Sequence, residues 1–277
     1  MDSNDLTVVV VTFKSEDKIQ SCLNSIPRNI RTIIVENSSN KNFKKKIEDK
    51  YSNVKCILSG SNKGYAVANN IGLKQVQTRF ALVLNPDAIL EKDVVDNFFS
   101  IVNKNNDFWL LGPSSYQQVE TLPETKEFME VNNLKGFAIF LNMEKFENIF
   151  FDENFFLYFE EIDLCTRVKK KGGKIYLNKN ISIKHEGAGS VNNVNTLELE
   201  KNRNWHWMWS TFYYHKKYRG FISAFIIIFP KLFSAISKLI YYQLILNKDK
   251  KNIYFCRMSG IINSILGKKS WYRPSLD

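Results

Sequence analysis

Short apolar runs alternate with amphipathic segments through the first hundred residues. Leu6–Phe13 is an almost uninterrupted, β-branched run, which predicts a strand buried on both faces of a parallel sheet. Ser15–Ile26 predicts a helix that Ser15 opens. Further predicted strands cover residues 32–35, 54–58 and 80–84, and further helices cover 41–50, 65–76 and 93–102. This rhythm favours a doubly wound, mostly parallel α/β sheet with right-handed crossovers.

The alternation loosens after Pro113. The polar stretch Ser114–Glu127 predicts a surface excursion, and order returns with a strand at 137–141 and a helix at 160–171 that Gly172 and Gly173 end. Two short strands follow at 174–177 and 181–184. Because no repeat and no low-complexity linker divides the chain, residues 1–200 are predicted to form one domain.

From Thr196 onward the pattern becomes helical and aromatic, and the charge balance changes. Residues 1–200 hold 25 Lys and Arg against 26 Asp and Glu, whereas residues 201–277 hold 14 against two. The net charge of +11 therefore belongs to the C-terminal region, 201–277. One helical stripe is predicted to pack against the first domain; it consists of Trp205, Met208, Trp209 and Phe212.

The last sixty residues predict a helix that lies in a membrane interface. The longest charge-free stretch, Gly220–Pro230, is shorter than the ~20 residues of a spanning helix. Basic residues in the tail would attract an anionic membrane surface. A packed helix with a solvated basic end is the alternative, and nucleic acid ranks lower because the aromatics cluster with aliphatics. The predicted polar face holds Lys231, Ser234 and Lys238, and the apolar face holds Leu232, Phe233, Ile236, Leu239 and Ile240.

Cysteine spacing and the N-terminal residues predict a cytoplasmic chain. The four cysteines form no C-x-x-C pair, and MDSNDLTVVV lacks a basic segment before an apolar one. Other motif classes are missing from the sequence as well. It contains neither G-x-x-x-x-G-K-[ST] nor H-E-x-x-H, and its late Gly-x-Gly at 187–189 is no dinucleotide fingerprint.

Polar residues follow the predicted strands directly, where an open α/β sheet binds its ligands. Each could be an ordinary turn residue. Taken together, an acidic residue after the second strand and Asp87 after the fourth outline a nucleotide diphosphate site. Asp87 is a carboxylate of the kind that Mg²⁺ or Mn²⁺ prefers. The residues that follow the strands and carry this prediction are Thr12, Glu36, Asn62, Gly64, Asn85 and Asp87.

Seven segments resemble the inverting family 2 (GT2-type) glycosyltransferases, in particular bacterial rhamnosyltransferase-like members. The segments are VVVVTF at 8–13, IIVENSS at 33–39, GSNKGYAVANNIGL at 60–73, LNPD at 84–87, KGFAIFL at 135–141, ENFFLYFEEIDLCTR at 153–167 and HEGAGS at 185–190. The resemblance implies a GT-A-like catalytic domain in 1–200. It also implies nucleotide contacts from Thr12, Glu36 and Asn62, and metal binding by the Asn85-Pro86-Asp87 segment.

The FEEID segment, residues 159–163, is the best place for a catalytic base. Inversion in one displacement needs one carboxylate opposite the leaving diphosphate, and Glu161 is the first choice. Glu160 and Asp163 are assigned to acceptor or sugar binding, although both lie where a helix dipole favours negative charge. Asp163 and Arg167 could equally form a structural ion pair. The family pattern has aspartate where Glu36 stands, and a Glu-Asp pair where Glu160 and Glu161 stand.

Two further positions complete the predicted site. The resemblance implies that His185 completes the metal or diphosphate site, although a hydrogen-bonded structural histidine is the simpler interpretation of a lone histidine. Gly136 would let backbone approach the sugar or acceptor, with a strand bulge as the alternative.

These observations predict a glycosyltransferase that moves a hexose or deoxyhexose, such as rhamnose, from a nucleotide-diphosphate sugar to a saccharide. The acceptor is predicted to be lipid-linked, and the enzyme to be peripheral on the cytoplasmic face of a membrane. One rival is a sugar-phosphate nucleotidyltransferase, which usually needs a Gly-rich basic loop after its first strand. The other rival is a non-catalytic membrane scaffold that retains the fold.

Overall fold

A computed structural model describes residues 5–104, 106–113, 127–147, 150–185 and 196–273. The chain divides into two compact units: residues 1–152 with 161–192, and residues 153–160 with 193–277. The predicted boundary at residue 200 stays a prediction. The predicted surface segment Ser114–Glu127 lies outside the described residues except for Glu127. The glycine-rich segment after His185 also lies outside them.

The first unit alternates strands and helices, as predicted. Its strands are β1 (Leu6–Thr12), β2 (Arg31–Glu36), β3 (Val54–Leu58), β4 (Phe80–Leu84), β5 (Ala88–Leu90), β6 (Phe108–Pro113), β7 (Phe128–Glu130), β8 (Ala138–Asn142), β9 (Lys174–Asn178) and β10 (Ile183–His185). Its helices are α1 (Ile19–Ser25), α2 (Lys41–Lys50), α3 (Tyr65–Leu73), α4 (Val94–Lys104) and α5 (Glu160–Lys170).

The main sheet is mixed and mostly parallel in its first half. Its strand order is β3-β2-β1-β4-β8-β6-β9-β7. Strands β3, β2, β1 and β4 run parallel, whereas β8 is antiparallel to both β4 and β6. Strands β5 and β10 form a separate antiparallel pair. The start of β8 therefore lies beside the carboxyl end of β4, which brings a second loop to the ligand-binding edge.

Strand β1 is buried on both faces because helices cover the sheet on each side. Val8 and Val10 face the core built with α1, α2 and α4, whereas Val9 faces the core built with α3 and α5. Each such buried valine contributes about 1.5–3 kcal/mol. The apolar run is thus explained by its central position in the sheet.

Helix α1 begins at Ile19, later than the sequence pattern predicts. Ser15 forms a turn instead: its hydroxyl donates to the carbonyl of Phe13 at 2.9 Å. The amides of Lys18 and Ile19 both donate to the Ser15 carbonyl. Serine competes with the backbone for such local hydrogen bonds, which delays the first helical turn.

The second unit contains two long helices, α6 (Thr196–Leu244) and α7 (Lys248–Ile265). Helix α6 breaks at Gly220, whose φ of 79° lies in the left-handed region. Met208 and Phe212 pack with Ile261 of α7. A Cβ on Gly260 would lie 2.4 Å from the Trp205 carbonyl oxygen, so this glycine allows α6 and α7 to approach closely.

The predicted aromatic stripe therefore finds its partners inside the second unit. Trp205 and Trp209 cluster with Cys256 of α7, and the Trp205 ring stacks on Tyr272 at 5.7 Å. The stripe packs on α7, and its expected contact with the first domain stays a prediction. Periodicity identified the buried face, but it could not identify the partner.

Helix α6 is long and apolar enough to cross a membrane by length and composition. An 18-residue stretch of it has a mean hydropathy of 1.8 and is 17% buried. The sequence argument against a spanning helix, which rested on the charge-free run 220–230, is therefore too strict.

Candidate active site

Three predicted site residues meet at the carboxyl edge of the parallel strands. Thr12 ends β1 and Glu36 ends β2, and the two are direct register partners. Asn85 follows β4, the other neighbour of β1. Thr12 is buried, and its hydroxyl has no hydrogen-bond partner among the described residues. The structure therefore brings these residues together, and their contact with a nucleotide stays a prediction.

Glu36 is buried and already holds its own loop. Its carboxylate accepts hydrogen bonds from the amide of Ser38 at 3.0 Å, from the Ser38 hydroxyl and from the amide of Asn40. A carboxylate has about four acceptor positions, so little capacity remains for a base or ribose hydroxyl. This carboxylate fixes the turn between β2 and α2, and a nucleotide contact would use its remaining acceptor position.

Asn37 follows β2 within the quoted IIVENSS segment, but no specific role was predicted for it from the sequence. Its side-chain amide donates to Asn62 Oδ1 at 3.1 Å and to the Gly64 carbonyl at 3.4 Å. Its side-chain oxygen accepts from the amide of Lys63 at 2.9 Å, and its own amide donates to the Thr12 carbonyl at 2.8 Å. Asn37 thus ties together the loops after β1, β2 and β3. The ENSS segment was quoted for its acid, so the neighbouring amide was overlooked.

Gly64 starts α3 with a φ of 83° and a ψ of 175°, a conformation that favours glycine. Its amide donates to Asn62 Oδ1 at 3.0 Å. The predicted residues Asn62 and Gly64 are therefore held in one hydrogen-bonded loop. Whether this loop contacts a nucleotide stays a prediction.

Replacing Asn37 by alanine is expected to weaken both the fold and donor binding. Loss of the side chain removes one of the two donors to Asn62 Oδ1 and the acceptor of the Lys63 amide, which costs about 1–3 kcal/mol of unfolding free energy. The KM for the donor should rise, because the loop at 60–64 loses its anchor. Asn53→Ala is the matched control, since Asn53 bonds the Ile30 carbonyl at 2.8 Å at the opposite end of the strands. A control with the same KM increase would contradict the positioning role.

Asp87 lies in the turn between β4 and β5, and its side chain is 1% exposed. Neither carboxylate oxygen accepts a hydrogen bond from any described residue. His185 lies beside it, with its Nε2 atom 3.3 Å from Asp87 Oδ1. A buried carboxylate without donors costs several kcal/mol unless a positive group compensates it. This position is therefore suited to a cation.

His185 reaches Asp87 because β10 pairs with β5, with His185 opposite Ala88. The Nε2 atom of His185 also lies 3.5 Å from Asn85 Nδ2. The ring stacks on Phe137, with centroids 4.7 Å apart and planes 14° apart. Phe137 was missed by the sequence analysis, although it lies within the quoted KGFAIFL segment. It fixes the plane of the imidazole beside the acid.

The segment 136–137 connects this acid to the predicted base. The amide of Asn85 donates to the Phe137 carbonyl at 2.8 Å, and the Tyr65 hydroxyl donates to the Gly136 carbonyl. A Cβ built on Gly136 would lie 3.6 Å from Cβ and Cγ of Glu161. Glu161 therefore lies at the same edge of the sheet as Asp87. The contact distance is ordinary, so alanine fits at position 136 and a close approach by a substrate stays a prediction.

The three acidic residues of the FEEID segment have different surroundings. Glu161 is half-buried, and loss of hydration raises the pKa of its carboxyl group. Asp163 is fully buried and accepts from Arg167 Nε at 2.8 Å, so the ion-pair alternative describes its contact. Glu160 is buried at the start of α5. Roles for Glu160 and Asp163 toward an acceptor stay predictions.

The residues present fit a divalent cation that takes some of its ligands from the protein and the others from a diphosphate. No group of three His, Cys, Asp or Glu side chains within the described ranges could hold a metal alone. Mg²⁺ commonly takes one or two carboxylates together with substrate phosphates. Adjacent ligands of an octahedral ion with bonds of about 2.1 Å lie ~3.0 Å apart, close to the 3.3 Å between Asp87 Oδ1 and His185 Nε2.

Comparison with known sequences gives a family model that matches more than half of the chain. A family model described as Glycosyl transferase family 2 matches residues 7–165. The Low-salt glycan biosynthesis hexosyltransferase Agl10 of Haloferax volcanii is 24% identical over 195 residues. That match covers 61% of this chain and 62% of the relative, so the chain spans about three fifths of the relative's length.

Two solved structures share the fold over most of the chain. The mannosyltransferase PcManGT from Pyrobaculum calidifontis, in complex with GDP-Man and Mn²⁺, has a TM-score of 0.60 at 12% identity and covers 96% of this chain and 88% of its own. TarS 1–349 of S. aureus, in complex with UDP-GlcNAc, has a TM-score of 0.55 at 15% identity and covers 97% and 93%. The predicted GT-A-like sheet with a helical C-terminal extension is thereby confirmed.

Proposed function

Because the chain belongs to glycosyl transferase family 2, we propose that it transfers a sugar from a nucleotide-diphosphate donor to a saccharide acceptor with inversion. The donor sugar is a hexose or deoxyhexose, and rhamnose rests on the motif resemblance alone. The acceptor is a lipid-linked saccharide used in glycan synthesis, and the enzyme works at the cytoplasmic face of a membrane.

One observation carries the proposal: the Asp87 carboxylate is buried without hydrogen-bond donors among the described residues, 3.3 Å from the imidazole of His185. Asp87 and His185 would hold Mg²⁺ or Mn²⁺ there. When bound, such a cation would supply positive charge that offsets the negative charge of the leaving diphosphate. The solved mannosyltransferase with GDP-Man and Mn²⁺ supports this assignment by its fold.

Glu161 supplies the base. A carboxylate with a raised pKa holds a proton more readily than an exposed glutamate, so it accepts the proton of the attacking hydroxyl more effectively. The oxygen of that hydroxyl then bonds to the anomeric carbon from the face opposite the diphosphate. Gly136 lies against Glu161, so the acceptor would enter beside this glycine. Asn62, Gly64 and Thr12 would contact the nucleotide.

Products released from a panel of nucleotide sugars test the reaction class. The proposal predicts free nucleoside diphosphate together with a glycosylated acceptor of inverted anomeric configuration, read by NMR. A nucleotidyltransferase would release pyrophosphate instead, and a scaffold would release nothing. Either of those outcomes, with a stably folded protein, rejects the proposal.

The second unit is proposed to contact the membrane through α6. Eight side chains of its later half share one face within about 100° of arc at 100° per residue, and all are apolar and exposed. Lys231 and Lys238 lie on the other side, and Ala224, Ile228 and Ala235 are buried. The exposed face consists of Ile222, Phe225, Ile226, Phe229, Phe233, Ile236, Ile240 and Leu244. A continuous patch of this kind is typical of a membrane or protein contact.

Substitutions at neighbouring positions distinguish insertion of the apolar face into a membrane from non-specific binding. Phe233→Asp is expected to reduce binding to vesicles of anionic phospholipid by at least about tenfold, because a charge must enter the apolar layer. Ser234→Asp adds the same charge one residue away on the lysine side and should change binding far less. Co-sedimentation measures both variants. Equal losses would mean that charge alone, and not the apolar face, determines binding.

A further inference from the structure

A basic pocket of about 320 Å³ lies inside the second unit. Two lysines come from the last turn before the break at Gly220, and two come from the segment that follows α7. Trp209 and Tyr213 of α6 line the same pocket. The four cationic residues are Lys216, Lys217, Lys268 and Lys269.

The walls of this pocket are fixed by specific contacts. Trp209 and Tyr213 lie one helical turn apart and stack with centroids 4.9 Å apart and planes 21° apart. Trp209 Nε1 donates to the Lys268 carbonyl at 3.0 Å, which holds the lysine segment against α6. The buried Ser264 hydroxyl donates to the Trp209 carbonyl at 2.9 Å. These contacts therefore hold the aromatic surface and the lysine segment after α7 in fixed positions relative to each other.

The charge of the pocket has one sign. Among the described residues that line it, none is an aspartate or a glutamate. Each lysine pair by itself is explained by its position at a helix C-terminus, where a cation contributes about 0.3–1 kcal/mol. That effect does not account for two pairs from separate helices converging on one cavity with an aromatic wall. Lysines from two separate segments therefore border one cavity that no described aspartate or glutamate lines.

We propose that this pocket binds a phosphate ester, with the phosphate among the lysines and the organic part against Trp209 and Tyr213. Lysine binds phosphate as a point charge, and the volume exceeds that of a bare phosphate. Lys216 and Lys217 of the pocket precede Gly220 by three to four residues along α6, and the exposed apolar face begins two residues after Gly220. The phosphate can therefore belong to a membrane lipid headgroup or to a free phosphate ester. The proposal is independent of sugar transfer.

The test uses the full chain with EDTA and without nucleotide, so that the proposed catalytic site is not engaged. The pocket variant is Lys216→Gln with Lys268→Gln. The control is Lys250→Gln with Lys251→Gln, which removes equal charge at the opposite end of α7. Circular dichroism and thermal unfolding check that both variants fold. The probes are glycerol 3-phosphate by calorimetry and vesicles of phosphatidylglycerol or phosphatidylcholine by co-sedimentation.

The expected result is that the pocket variant loses at least about fivefold more affinity for a phosphate probe than the control does. A loss confined to phosphatidylglycerol vesicles identifies the lipid headgroup as the source. A loss of glycerol 3-phosphate binding, with vesicle binding equal in the two variants, identifies a free ester. Equal losses in the two variants with both probes, or no binding of either probe by the wild type, would overturn the proposal.

Discussion

Glu161→Gln is expected to lower sugar transfer by about 10²–10⁴-fold, the range typical of a lost general base, without lowering stability. Burial raises the pKa of Glu161 in the folded protein, so the charged form is disfavoured there relative to the unfolded chain. The associated stabilisation is present below the unfolded pKa of about 4.3 and is lost as pH rises through the folded value. At neutral pH the buried charged carboxylate therefore lowers the free energy of unfolding, and the neutral glutamine side chain removes this destabilisation.

Two measurements check this prediction. For the wild type, kcat/KM should fall on acidification through a pKa above that of an ordinary glutamate, because the base must be deprotonated to accept a proton. Thermal unfolding at pH 7 should give Glu161→Gln a Tm equal to or above that of the wild type. Asp163→Asn is the control: it removes the negative charge that pairs with Arg167 and should lower the Tm. Substantial transfer by Glu161→Gln would remove Glu161 from the mechanism.

Asp87→Asn is expected to reduce transfer by at least about 10³-fold, because the neutral amide binds a divalent cation far less well than a carboxylate does. The protein itself should stay folded. The Asp87 carboxylate accepts no hydrogen bond from the described residues, so the substitution removes a buried charge without breaking a donor contact within that part of the chain.

Comparison with His185→Gln distinguishes loss of the negative charge of Asp87 from loss of the neighbouring imidazole ligand. The glutamine side chain would keep a polar group near Asp87 while removing the imidazole, so transfer should fall less than in Asp87→Asn. Unfolding in EDTA at pH 7 provides the stability measurement for both variants. A large loss of stability in Asp87→Asn would show that the carboxylate is a structural anchor, in which case loss of activity would say nothing about a metal.

The sequence predicted the edge of the sheet better than the contacts along it. Thr12, Glu36 and Asn85 follow buried apolar runs, and parallel strands bring such positions together whatever the side chains do. The occupation of the Glu36 carboxylate by its own turn depends on the path of residues 37–40. Apolar periodicity carries no information about that path.

The position of the antiparallel strand β8 explains why the sequence did not predict the contacts of Phe137 and Gly136. Its insertion beside β4 brings Phe137 against His185 and Gly136 against Glu161. The order of strands in a mixed sheet depends on long-range packing, which no local pattern specifies. The same limit applies to the Trp205–Phe212 stripe: its periodicity predicts a buried face, whereas its partner α7 lies about fifty residues further along the chain.

Binding of Mn²⁺ in the presence of a nucleoside diphosphate tests the central assignment most directly, by electron paramagnetic resonance on the wild type, Asp87→Asn and Glu161→Gln. The ternary complex should form in the wild type and in Glu161→Gln with similar affinity, because Glu161 is assigned to the acceptor hydroxyl. It should be lost or weakened at least about tenfold in Asp87→Asn. Equal binding by Asp87→Asn and the wild type would contradict the assignment of the metal and diphosphate to this edge of the sheet.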